Sequence, residues 1–397
     1  MPLPPGLHRL GRWYVPALLG GLLALLLAWA PISSMLNLFK LPLHHMGVQM
    51  GLTTPTPISM PWAIQRPQSP IIQPLTYFPR LQSKAISMQV GIHADSIYEL
   101  SLAQKNYFVD GRFWLEWPNN VQEWMKRERL TPLEVVDFVN QVEDWNSEVM
   151  PDSSEPQQRP GGTWYQSFRF SSHFDVRNID LRKYPFGSLQ VPIILQVVPA
   201  HSLVDGRPLL LLPERNQQGI IGEDASLDGY SLVSATLEPV VRTYRTDYGL
   251  KRLVRISQVQ CLFNYRSSFW PGFIKYVLPM AIILLLVLVS PYLESSLGDA
   301  RLAIPSTALL TLVFLQQGYS AGLPQTPYLS YLDKLYAVAY LICIGLFILF
   351  IWSSNRYSAA SDDQKAAVQV RLDRVDQLFQ IVSLGLLVLV AIEAWFS

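Results

Sequence analysis

The chain has 397 residues, of which 50% are apolar and 15% charged, and its mean hydropathy is positive at +0.19. That is too apolar for an ordinary soluble protein and makes a membrane protein the default. Lys+Arg (31) nearly balance Asp+Glu (30), which excludes the global basic field that nucleic-acid binding needs. Cys261 and Cys343 are the only cysteines and the second lies in an apolar run, so neither a disulfide framework nor a structural zinc site is expected.

Residues 13–30 form the first apolar stretch long enough for a membrane helix. Ala28-Trp29-Ala30 has the small-x-small form of a signal-peptide cleavage site, but Pro31 follows the scissile bond and obstructs it. We therefore expect an uncleaved anchor over residues 1–30. Residues 31–83 read as a tether, since nine prolines and no acidic residue fall between positions 31 and 79. His44 and His45 lie in it without further ligands, and no metal is expected there.

Residues 84–268 read as strands. "ISMQVGIHADSIYEL", "NYFVDGRFWLEW", "SFRFSSHFDV", "LQVPIILQVV", "YSLVSATLE" and "KRLVRISQVQCLFNY" are β-rich runs separated by Gly, Asp and Pro. Many short strands without βαβ alternation predict an immunoglobulin-like β-sandwich. One inserted helix is expected near residues 131–149. Thr131, Pro132 and Glu134 have the form of a capping box with proline at the first helical position, and Val135, Phe138, Val139, Val142 and Trp145 follow as the apolar face.

Four further apolar stretches, at 269–292, 302–318, 335–352 and 378–396, predict a helical membrane domain over residues 269–397. His8, Arg9 and Arg12 precede the first span, and Arg356, Lys365, Arg371 and Arg374 lie between the last two. The positive-inside rule puts both on the cytoplasmic side, with residues 31–268 outside. The fold class is thus membrane α+β: an outer sandwich, four membrane helices and an extra N-terminal helix.

The stretch "LGDARLAIPSTALLTLVFLQQG" is unusual for lipid, because it carries Asp299, Arg301, Ser306, Thr307, Thr311, Gln316 and Gln317. In a helix, Asp299, Ala303, Thr307, Leu310, Phe314 and Gln317 are spaced 4, 4, 3, 4 and 3 and share one face. Replicated around an axis, that stripe would line a pore. Alternatively, the hydroxyls and glutamines hydrogen-bond between packed helices. Arg301, two residues after Asp299, is expected to point away from the stripe, and Pro305 to cost a backbone hydrogen bond.

"IDLRKYPFGSLQVPIIL" resembles the loop and strand at the membrane-facing end of the pentameric ligand-gated ion channels, the Cys-loop receptor superfamily. "ISMQVGIHADSIYELSLAQKNYFVDGRFWLEW" resembles their first two strands, "FIKYVLPMAIILLL" their first channel helix, and "LPQTPYLSYLDKLY" the turn into their third. These blocks stand in family order over residues 84–397. The resemblance implies a homopentamer in a bacterial inner membrane, with a ligand-binding outer domain and the second channel helix around the pore. It further implies an Asp299 ring selecting monovalent cations, a gate at Leu310 with Phe314 outward of it, and coupling through Tyr184, Pro185, Phe186, Arg266 and Pro324.

The chain also departs from the family. Arg177 and Val191 stand where the two loop cysteines would be, and Gly187 stands where an aspartate usually follows Tyr184-Pro185-Phe186. Arg266 is offset by about one residue from the arginine expected before the first channel helix. For the ligand, a small molecule or a proton, the resemblance implies Arg112 and Trp114 on one side of a subunit boundary and His201, Tyr244 and Tyr248 on the other. Aromatic cages suit cations, whereas Arg112 suits a carboxylate; Tyr244 and Tyr248 also read as ordinary strand residues. No P-loop, HExxH, GxSxG or GxGxxG motif occurs, so neither an enzyme nor a cofactor is expected. A non-conducting membrane receptor on the same scaffold is the alternative function.

Overall fold

The computed structural model describes residues 71–397 except 143–145, 177–178, 216–218, 245, 247–248, 250–253 and 397. The expected N-terminal anchor, nearly all of the tether, Tyr248 and Arg177 lie outside the described residues.

The β region is built from strands β1 (Ile71–Pro74), β2 (Ile86–Ser101), β3 (Asn106–Pro118), β4 (Val136–Phe138), β5 (Gln141–Val142), β6 (Glu148–Pro151) and β7 (Gln157–Gln158). These are followed by β8 (Thr163–Asp175), β9 (Ser188–Val197), β10 (Leu203–Val204), β11 (Arg207–Pro213), β12 (Ile221–Asp224), β13 (Tyr230–Thr243) and β14 (Arg255–Ser267). One sheet has the order β1-β13-β14-β9-β4; the other runs β10-β11-β2-β3-β8-β5, with β12 on β2 and β6 and β7 on β8. Strands β11 and β12 pair with β2 in parallel. The β2, β3 and β8 pairs are antiparallel.

Alternation drives this assembly. Along β3, Tyr107, Val109, Gly111, Phe113, Leu115 and Trp117 are buried while the residues between them are more open, the period-2 pattern of a strand with one face on a core. Phe113, Phe168, Val191, Ile193, Val259 and Phe263, drawn from both sheets, join one hydrophobic cluster. Trp117 is fully buried, and its indole N–H donates to Gln122 Oε1 at 2.8 Å.

The inserted helix expected near 131–149 is corrected. The capping box does form, with Glu134 accepting from the Thr131 N–H, but only one helical turn (Pro132–Val135) follows before β4 and β5. The run after the cap is β-branched and alternates in burial at Val136, Asp137 and Phe138, and pairing β4 with β9 satisfies its backbone. A helix that the strand signal overshadowed lies just upstream as α1 (Asn119–Glu128). Val121, Trp124 and Met125, spaced 3 and 1, face the core, and Arg129 ends the helix in the left-handed conformation at φ 58°.

Four helices follow: α2 (Phe269–Tyr292), α3 (Gly298–Ser320), α4 (Tyr331–Ser358) and α5 (Asp362–Phe396). All are long and apolar enough to cross a membrane. Helix α2 widens into a π-helical turn at Phe273–Val277, directly before Pro279. Proline cannot donate to the carbonyl one turn back and its ring crowds it, so the turn opens to make room. Ser330 caps α4 by accepting from the Asp333 N–H at 3.2 Å, and Asp333 accepts in return from the Ser330 N–H at 2.9 Å.

Candidate functional site

Helix α3 has two unlike faces. Arg301, Pro305, Ala308, Leu312 and Tyr319 are buried against neighbouring helices. Asp299, Ala303, Thr307, Leu310, Phe314 and Gln317 are all exposed, Leu310 at 57% and Phe314 at 62%. The helix runs unbroken through Pro305, whose missing N–H leaves the Arg301 carbonyl without its intrahelical donor.

The hydroxyls of this helix bond to their own backbone. Ser306 Oγ donates to the Leu302 carbonyl at 2.6 Å, Thr307 Oγ1 to Ala303 at 2.8 Å and Thr311 Oγ1 to Thr307 at 2.8 Å. Such back-bonding satisfies each hydroxyl proton without help from another helix, so within the chain these hydroxyls do not join helices. Gln316 does, since its Oε1 accepts from the Tyr340 hydroxyl of α4. Gln317, its neighbour, is exposed.

At the foot of the β region, the loop 179–187 presses into the helices. The Tyr184–Pro185 peptide bond is cis. The Tyr184 ring lies 5.5 Å from Tyr276 of α2 and 6.5 Å from Tyr319 of α3, while Phe186 lies 4.8 Å from Phe269, and 5.9 Å from both Tyr331 and Trp395. Burial, then the neighbouring Tyr276 hydroxyl, raises the Tyr184 phenol above its ordinary range. The backbone joins as well: the Tyr331 N–H donates to the Arg182 carbonyl at 2.7 Å, and the Leu181 N–H to the Tyr328 hydroxyl at 3.0 Å. Pro324 lines a cavity of about 380 Å³ with Leu181, Tyr319 and Tyr328. Arg266 is exposed, opposite Ser188 on β9 and Ser231 on β13. A Cβ at Gly187 would meet nothing nearer than 3.7 Å, so the backbone leaves room for one there.

The expected ligand residues separate into two places. Arg112 and Trp114 line one open concavity of about 320 Å³ with His93, Asp152, Tyr165 and Ser167. Trp114 is held there by its N–H bond to Glu214 at 3.0 Å and lies across Gly91, where a Cβ would meet the indole at 2.1 Å. His201 instead packs 6.0 Å from Trp124, and the Tyr244 hydroxyl donates to Gln196 Oε1 at 2.9 Å beneath the Arg242 guanidinium.

Sequence reasoning missed Asp376, which is buried and paired with Arg301, and Trp395, which reaches Phe186 from α5. Asp376 had a readable signal: an acidic residue two positions before an apolar span is costly there and needs a partner. Compared with protein-family models and with curated proteins, the chain matches none.

Proposed function

We propose that the chain is the subunit of a homopentameric, ligand-gated cation channel of a bacterial inner membrane, its N terminus cytoplasmic. The outer sheets form an immunoglobulin-like sandwich that takes ligand at subunit boundaries, and the exposed stripe of α3 lines the pore. One observation carries this reading: a helix packed on one side keeps Asp299, Thr307 and Gln317 exposed in register on the other. Polar groups persist at membrane depth where they meet water or protein. Asp299 would concentrate cations at the inner mouth, and Leu310 would close the pore by excluding water. The packing of Tyr184, Pro185 and Phe186 on α2, α3 and α4 supports their role in carrying ligand binding to the helices, and the Arg112–Trp114 concavity is the place where ligand enters.

The test is conductance of purified protein in a planar bilayer under a potassium chloride gradient. The wild type passes cations; Asp299→Asn moves the reversal potential toward the chloride equilibrium, and Leu310→Thr leaks without ligand while the pentamer stays intact. An unchanged reversal potential in Asp299→Asn would reject the selectivity ring. A pure, intact oligomer that passes no ions favours the non-conducting receptor.

A further inference from the structure

Arg301 is a guanidinium at 1% exposure in a helix long and apolar enough to cross a membrane. It is reached from α4, from α5 and from the linker between α2 and α3. Its Nη2 donates to Asp376 Oδ2 of α5, its Nη1 to Ser295 Oγ in the α2–α3 linker at 2.8 Å, and its carbon centre lies 4.2 Å from the Phe350 ring of α4. One turn along α5, Gln380 donates to the Leu288 carbonyl of α2 at 2.8 Å. The other Asp376 oxygen has no hydrogen-bond donor among the described residues, so Arg301 is what balances this carboxylate.

An arginine does not shed its proton in a protein, and a buried charge without a counter-charge is strongly unfavourable. Arg301 stands two residues from Asp299 on the opposite side of α3, so with a helix diameter of about 10–12 Å the two charges lie on the order of 10 Å apart. That is close to the Debye length of about 8 Å at physiological salt, and the intervening medium is protein, which screens poorly. Uncompensated, one Arg301 per subunit would offset the negative potential of the Asp299 ring.

Resting on the channel reading above, we propose that Asp376 is a selectivity-determining residue that never meets an ion. By neutralising Arg301 from behind, it leaves Asp299 as the charge that permeating ions sense at the inner mouth. Ser295 and Phe350 hold the guanidinium on the far side of the helix, and α5, the last helix of the chain, thereby acts on the pore without reaching it. A pair that only holds helices together would change assembly and current size, but not which ion passes.

The experiment measures reversal potentials in a potassium chloride gradient for the wild type, Asp376→Asn, Arg301→Gln and the double variant, with oligomer integrity checked by size exclusion. Asp376→Asn is expected to lower the potassium-to-chloride permeability ratio about threefold or more, and the double variant to return it to the wild-type value. Should Asp376→Asn fail to assemble, Asp376→Ser, equally neutral and still polar, is measured in its place. An unmoved reversal potential in the neutral variant that assembles overturns the proposal. A wild type that passes no ions overturns the channel reading along with it, whereas a conducting wild type with an unmoved Asp376→Asn overturns only the role of the pair.

Discussion

The β region and the helical region contain similar apolar side chains and dispose of them in opposite ways. Phe113, Phe168, Phe170, Phe263 and Trp117 are at most 1% exposed and pack on one another across two sheets. On the helices, Leu286, Leu341, Leu378 and Leu389 stand 62–63% exposed. The first region removes its apolar surface from water within the chain; the second leaves that task to surroundings outside the chain, as helices of membrane length do. The same residue type is therefore structural glue in one region and an outward surface in the other.

That contrast is most sharply tested by truncation. Trp117→Ala empties a fully buried site and strands Gln122, and is expected to cost about 3–5 kcal/mol, read as a large fall in the urea midpoint of the β region by near-ultraviolet circular dichroism. A loss under about 1 kcal/mol would mean that the core is loosely packed. Phe186→Ala acts where the regions meet. It removes a half-buried ring that touches Phe269, Tyr331 and Trp395, and about 2 kcal/mol of lost contact is expected. Calorimetry should then resolve separate transitions for the strands and the helices where the parent protein shows a joint one.

Alkaline pH should also weaken the β region. Burial raises the Tyr265 phenol to about 12, and burial followed by its bond to Asp110 raises Tyr98 to about 12. Both ionise near 10 when unfolded. Between those values the unfolded chain has released protons that the folded chain retains, so the stability these groups contribute is complete below about pH 10 and is lost on the way to about 12. Tyr98→Phe and Tyr265→Phe should flatten that decline, monitored by thermal midpoints between pH 9 and 12. The smallest effect is expected at Leu389→Ala, within about 0.5 kcal/mol in detergent because its side chain packs on little of its own chain.

Much of the molecule was legible in the one-dimensional pattern. The four spans appear where apolar runs of sufficient length occur, although each helix except α2 extends past the apolar run into polar flanks. The long strands β2, β3, β8, β9, β13 and β14 coincide with the β-rich runs. Misreadings occur where signals are short. The Thr131–Glu134 cap is a local hydrogen-bond device and forms as written, but it says nothing of how far a helix runs, and pairing with β9 ended this one after a turn. The α1 helix escaped because "NNVQEWMKRE" follows directly on a strong strand without a side-chain cap.

Composition, run length and periodicity determined by themselves that between residues 84 and 397 strands come first and membrane-length helices afterwards, and that six residues of α3 share one face. Those properties follow from spacing along a regular backbone and need no partner. Only the tertiary structure decided which face of α3 is covered, that Gln316 bonds across to α4, that Arg112 and Trp114 share a concavity with Asp152, and that Arg301 meets Asp376 across 75 residues of chain. Each of these depends on which elements come together, and a buried charge has no preferred partner until packing brings one within reach.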